Sequence, residues 1–99
     1  MALHLSAAGW QVLHRNWRCK AGELDVVVRR GGSLRFVEVK LRDPEDLAGL
    51  EGISLSRVRA AAELYLAGYE DLVDEACLML AWVRHDDGRF DIELMDDPE

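Results

Sequence analysis

The chain has 99 residues, about half of them apolar, and a formal net charge of −7. This length supports one domain with a modest core, and the absence of any low-complexity run argues against a disordered chain. The longest apolar run, "ACLMLAWV" at 76–83, is far too short for a bilayer, which needs ~20 residues, and no basic stretch with an apolar signal core opens the chain. Cys19 and Cys77 are far apart and form no Cys-x-x-Cys pair, so free thiols in a reducing cytoplasm are expected.

Charge is unevenly distributed. Residues 1–42 carry eight Lys or Arg against three acids, whereas residues 43–99 carry four against sixteen. That asymmetry suggests a basic working face on an acidic body, the alternative being that these cations are merely solvated.

Residues 2–9, "ALHLSAAG", read as the tail of a helix stopped by Gly9. "WQVLHRNW" has strand composition but alternates poorly. The polar connection "RCKAG" leads to "ELDVVVRR", then Gly31-Gly32, then "SLRFVEVKL". Two β-rich runs about Gly-Gly predict a hairpin, with positive φ accessible at both central residues. "RDPEDLAGLEG" reads as a loop.

The clearest helix follows. Leu55, Val58, Ala61, Ala62, Tyr65 and Leu66 keep helical spacing, with Ser54 or Ser56 as candidate N-cap and Gly68 as the stop. "ACLMLAWVRH" reads as a buried strand, and Asp87-Gly88 turns the chain into "RFDIELM", with "DDPE" as a frayed tail. The order α-β-β-β-α-β-β predicts an α/β fold, a mixed sheet flanked by helices.

The hairpin raises a chemical question. With a two-residue loop, paired positions sum to 63, so Val27 meets Phe36, Asp25 meets Glu38 and Glu23 meets Lys40. Two carboxylates would then face each other with Cβ atoms ~4.5–5.5 Å apart beside apolar neighbours, which destabilises a sheet. A bound proton, Lys40 or a divalent cation would each compensate. Two carboxylates with a free carbonyl suit Mg²⁺, which keeps several waters and accepts phosphate oxygens. The plainer alternative is a Glu23–Lys40 ion pair with Asp25 and Glu38 hydrated.

"Gly-Glu-Leu-Asp" followed by "Phe-Val-Glu-Val-Lys" resembles the signature of the PD-(D/E)XK nuclease superfamily, and more narrowly the YraN family of small bacterial proteins similar to archaeal Holliday-junction resolvases. "HRNWR" at 14–18, "RVRAAAELYLA" at 57–67 and "RFD" at 89–91 resemble further segments of that family, so the likeness spans almost the whole chain. It implies a restriction-endonuclease-like sheet, Asp25 and Glu38 as ligands of Mg²⁺ or Mn²⁺, Lys40 as the catalytic lysine, and a place for Glu23 in the same catalytic group. Two departures accompany it. No acid precedes Glu23, where family members carry a Glu on a longer first helix, so the first helix is expected to be truncated, and either the true start lies upstream or one metal-binding carboxylate is missing. Ser54 stands where a Lys is usual, with Arg57 one turn later.

Three functions follow as expectations. The first is a Mg²⁺-dependent nuclease on DNA, including branched DNA, with Arg15, Arg18, Lys20, Arg42 and Arg57 on neighbouring phosphates and, by analogy with resolvases, a homodimer. The second is a nucleic-acid-binding protein that retains the fold without cleavage. The third is a scaffold that uses its acidic half. A zinc site from His4, His14, His85, Cys19 and Cys77 matches no ligand spacing. Trp10 and Tyr65 are assigned to the core, whereas Trp17, beside the basic turn, suits either core packing or stacking on an exposed base. Asp91 is expected to pair with Arg89 or cap a turn rather than bind metal.

Overall fold

The computed structural model describes residues 2–40, 51–86 and 89–96. Its elements run α1 (Ala2–Ala7), β1 (Gln11–Cys19), β2 (Gly22–Arg30), β3 (Ser33–Lys40), α2 (Glu51–Ala67), β4 (Glu75–Asp86) and β5 (Arg89–Asp96). The five strands form one sheet in sequence order, antiparallel throughout except for the parallel pair β3–β4. A parallel pair needs a crossover, and α2 supplies it. This is the expected mixed α/β sheet flanked by helices, compatible with a restriction-endonuclease-like fold.

Each helix covers one face. Val58, Ala61, Ala62 and Tyr65 recur at helical spacing on α2 and are buried against Leu24, Val27, Leu34, Phe36 and Leu78. On the opposite face Leu5 of α1 joins Trp10, Val26, Val28, Val37, Met79 and Ala81. Burying each such large apolar side chain contributes about 1.5–3 kcal/mol, and β4, covered on both sides, reads as a nearly unbroken apolar run over 76–83. Among the described residues no helix is long and apolar enough to cross a membrane.

The Gly31-Gly32 turn joins Arg30 to Ser33 directly, fixing the expected register from there to Val26↔Val37. Of these two glycines only Gly31, at φ 60°, has positive φ, as the first central residue of a type II′ turn does. The link between β1 and β2 is tighter than the sequence suggested, since only Lys20 and Ala21 separate the strands. The candidate caps Ser54 and Ser56 are displaced: α2 already includes Glu51, so both serines lie inside the helix, while Gly68 does follow its last residue. Most of the expected "RDPEDLAGLEG" loop, the Asp87-Gly88 turn and the end of the tail lie outside the described residues.

Three of the cations counted toward a basic face serve the fold. Arg29 donates to the Tyr69 hydroxyl and to the carbonyls of Gly31 and Leu72. Arg30 lies over the Trp10 ring, 4.2 Å from its centroid. Buried Arg35 binds Glu75 at 2.8 Å and Asp96 at 3.2 Å, tying β3 to the start of β4 and the end of β5.

Candidate metal centre at the parting of two strands

β3 is held unequally along its two edges. On the β4 side the ladder runs the full length of β3, from Ser33↔Glu75 to Lys40↔Trp82. On the β2 side it stops at Val26↔Val37, although β2 stays paired with β1 down to Cys19↔Gly22. The β1–β2 hairpin therefore parts from β3 beyond Val26. The last three residues of β3 present an edge whose donors need acceptors.

Asp25 fills that gap with its side chain. Its Oδ2 accepts the Val39 N–H at 2.8 Å, replacing the next rung of the ladder by a carboxylate. The simple continuation of the register, Asp25 directly across from Glu38, is thus corrected: the ladder ends one pair earlier, at Val26↔Val37. The two carboxyl groups are nevertheless brought together. Burial pushes the Glu38 carboxyl above its ordinary range, the Asp25 charge and a hydrogen bond to Asp25 push the same way, and Lys40 opposes them. Lys40 Nζ lies 3.3 Å from Glu38 Oε1, and the two side chains retain only 14% and 16% of their exposure. Such an enclosed carboxyl pair with one adjacent cation is where a divalent ion would relieve repulsion most.

Glu23 takes another partner. It binds Arg18 across β1–β2 at 2.7 Å, so the Glu23–Lys40 ion pair does not form, and Lys40 turns to Glu38 instead. The cause is the same parting of strands, which leaves Glu23 facing β1. Exposed Arg15 lies on β1, exposed Lys20 lies in the turn after it, and Arg57 is exposed on α2 with its Cβ beside Gly22. Arg42 lies outside the described residues.

The donor set fits Mg²⁺ or Mn²⁺ to a definite extent. Hard oxygen ligands are present, and such ions retain several waters. Among the described residues, however, no group of three or more His, Cys, Asp and Glu side chains comes together. The protein would supply two carboxylates and backbone, with water or phosphate completing the shell. The same finding leaves the described His4, His14, Cys19 and Cys77 unassembled into a metal group, and neither cysteine forms a disulfide. The side chains of His85 and Asp91 lie outside the described residues.

Two aromatic assignments meet the structure differently. Trp10 and Tyr65 are buried. Trp17 is half-buried, edge-on to Tyr65 at 5.1 Å, beside a cavity of about 220 Å³ also lined by His14, Leu64, Gly68 and Tyr69. His14 Nδ1 and the Tyr65 hydroxyl share a hydrogen bond of 2.7 Å. Sequence reasoning missed the Val39 amide as the Asp25 partner, because a backbone donor leaves no trace in residue identity. It also missed Trp82, the neighbour of Lys40 on β4, whose buried indole N–H meets no acceptor among the described residues.

Comparison with known proteins agrees with the motif likeness. The model of the uncharacterised protein family UPF0102 matches residues 1–94. A UPF0102 protein of Gloeobacter violaceus is 42% identical over 100 residues, covering 96% of this chain and 71% of the relative. One from a Synechococcus strain is 38% identical over 98 residues, covering 94% and 66%. One from a Parafrankia strain is 44% identical over 70 residues, covering 67% and 59%. This chain therefore spans roughly three-fifths to seven-tenths of the length of these relatives. By its match over residues 1–94 and by its motifs, the chain belongs to the UPF0102 family of YraN-like small bacterial proteins.

Proposed function

We propose that this chain is a Mg²⁺- or Mn²⁺-dependent nuclease that hydrolyses phosphodiester bonds in DNA, branched or otherwise structured DNA included. The observation that carries the reading is the meeting of Asp25, Glu38 and Lys40 where β2 parts from β3. Exposed carboxylates on a sheet are ordinary, whereas an enclosed Glu38 whose proton affinity is raised by burial and by the neighbouring Asp25 is costly to keep without a purpose.

Asp25 and Glu38 would hold the ion, with Glu23 at the margin of the site. A bound divalent ion supplies Lewis-acid stabilisation of phosphoryl oxygens and a more acidic water. Lys40 would orient that water or neutralise charge on the phosphate. Arg15, Arg18, Lys20, Arg42 and Arg57 would hold neighbouring phosphates and set position without reading bases. Cytoplasmic location and a two-fold dimer belong to the same proposal, the latter by analogy with resolvases.

One observation favours a second reading, a DNA-binding protein without cleavage: the described residues offer two carboxylates and no third. Calorimetric titration of Mn²⁺ into wild type and Asp25→Asn/Glu38→Gln, followed by cleavage assays on branched, nicked and single-stranded DNA, separates the two. The nuclease reading expects binding lost in the double variant, and cleavage lost there and in Lys40→Ala. Salt-sensitive DNA binding with no cleavage under either ion would favour the second reading. Equal metal binding by wild type and double variant would remove the site assignment altogether.

A further inference from the structure

One residue of β1 departs from strand geometry beside the candidate centre. Asn16, in the middle of a nine-residue strand, has φ 54°, the left-handed region that L-residues seldom enter. It is the sole non-glycine described residue with positive φ. It falls between the pairs Arg15↔Val26 and Trp17↔Leu24, so its place in the ladder is across from Asp25.

Both strands change facing at this pair. In a regular strand Leu24, Val26 and Val28 would share one face. Instead Val26 and Val28 join the cluster under α1, while Leu24 joins the cluster under α2. On β1, His14 and Trp17 are three residues apart and should face opposite ways, yet both rings lie against Tyr65. The pairing sum is the same on either side of Asn16, so no inserted residue causes the change. The left-handed residue and the carboxylate across from it mark the place where the facing reverses and where β2 leaves β3.

We infer that Asn16 is a positioning residue for the metal centre: its left-handed backbone turns the β1–β2 hairpin so that the Asp25 carboxylate leaves the ladder and reaches the Val39 amide and Glu38. The inference rests on the metal reading above for its purpose, but its geometric content stands separately. Asn is suited to the task because, with Asp, it enters this region more readily than other residues bearing a Cβ. Its side chain is exposed and forms no hydrogen bond with the described residues, which directs attention to the backbone.

The test compares Asn16→Gly, which keeps access to positive φ, with Asn16→Ala and Asn16→Ser, which disfavour it. Two quantities are read for each: the Val39 amide resonance in ¹H–¹⁵N spectra, with Asp25→Ala marking the lost hydrogen bond, and Mn²⁺ affinity by calorimetry. Asn16→Gly should keep the wild-type Val39 resonance and bind Mn²⁺ within about twofold of wild type. Asn16→Ala should move the resonance toward the Asp25→Ala position and weaken Mn²⁺ roughly 10- to 100-fold, as loss of supporting groups around a metal does. Asn16→Ser should move both in the same direction, and it decides the matter if Asn16→Ala does not fold. Wild-type resonance and affinity in folded Asn16→Ala or Asn16→Ser would overturn the inference. So would losses in Asn16→Gly as large as theirs, since the side chain and not the backbone would then matter. The Val39 signal needs no metal, so a wild type that takes up no Mn²⁺ would sink the metal reading while the resonance still decides the role of Asn16.

Discussion

Replacing Lys40 by Met asks whether the carboxyl pair is held by a fixed cation or by solvent. At the 3.3 Å separation of Lys40 Nζ and Glu38 Oε1, and an effective dielectric of about 20, the direct attraction is about 5 kcal/mol, an upper bound before desolvation. The measurable loss is smaller, because Glu38 can take up a proton when the cation is gone. Neutralising a carboxyl of ordinary value 4.5 at pH 7 costs about 3.4 kcal/mol, from 2.5 units at ~1.36 each. The wild type already carries part of that cost, since burial and then Asp25 raise Glu38 despite Lys40. A double-mutant cycle of Lys40→Met and Glu38→Gln, read by urea unfolding in the presence of chelator, should therefore show a coupling of about 1–3 kcal/mol at pH 7.

The pH dependence follows from the direction of the shift. Glu38 has a folded value above its unfolded one, so the stability it brings is complete below the unfolded value and is lost as pH rises through the folded value. Removing Lys40 raises the folded value further, so the deficit of Lys40→Met should widen as pH rises out of the ordinary carboxylate range toward and past neutrality. A coupling below about 0.5 kcal/mol that stays flat across this range would refute the reasoning, because a solvated surface pair behaves that way.

Two further outcomes test the frame around the site. Gly31→Ala should lower stability by about 1–2 kcal/mol on thermal unfolding, all of it from backbone strain at φ 60°, because an added Cβ meets nothing within 4 Å. Gly31→Asn should lose clearly less. Tyr65→Phe should cost about 1 kcal/mol by removing the hydroxyl that bonds His14 at 2.7 Å. Equal stability of wild type and variant would mean that water replaces the bond.

The sequence made the scaffold legible wherever a local rule acted alone. Gly31-Gly32 set the hairpin register, and the Val58, Ala61, Ala62, Tyr65 stripe placed the buried face of α2. The site was legible only in outline. Extending the ladder by counting brought Asp25 to Glu38, but it assumed two strands that stay together, and they part after Val26. Asn16 left one visible sign, the poor alternation of "WQVLHRNW", yet alternation is also spoiled by the register shift between Val12 and His14. Composition could not tell solvated cations from structural ones either. Arg29, Arg30 and Arg35 find partners contributed by distant segments, visible only once α1, α2 and β4 are in place.

The two sides of β3 also differ in how far along the chain their partners lie. Asp25 meets Val39 across fourteen residues, whereas the Ser33↔Glu75 pairing begins β3–β4 across forty-two. Short loops close sooner than long ones, so the β2–β3 hairpin is favoured to assemble before the crossover through α2. The repulsion between Asp25 and Glu38 then belongs to an early stage of folding, before β4 pairs with β3. Chemistry suited to a charged ligand is in this way set against the speed with which the chain folds.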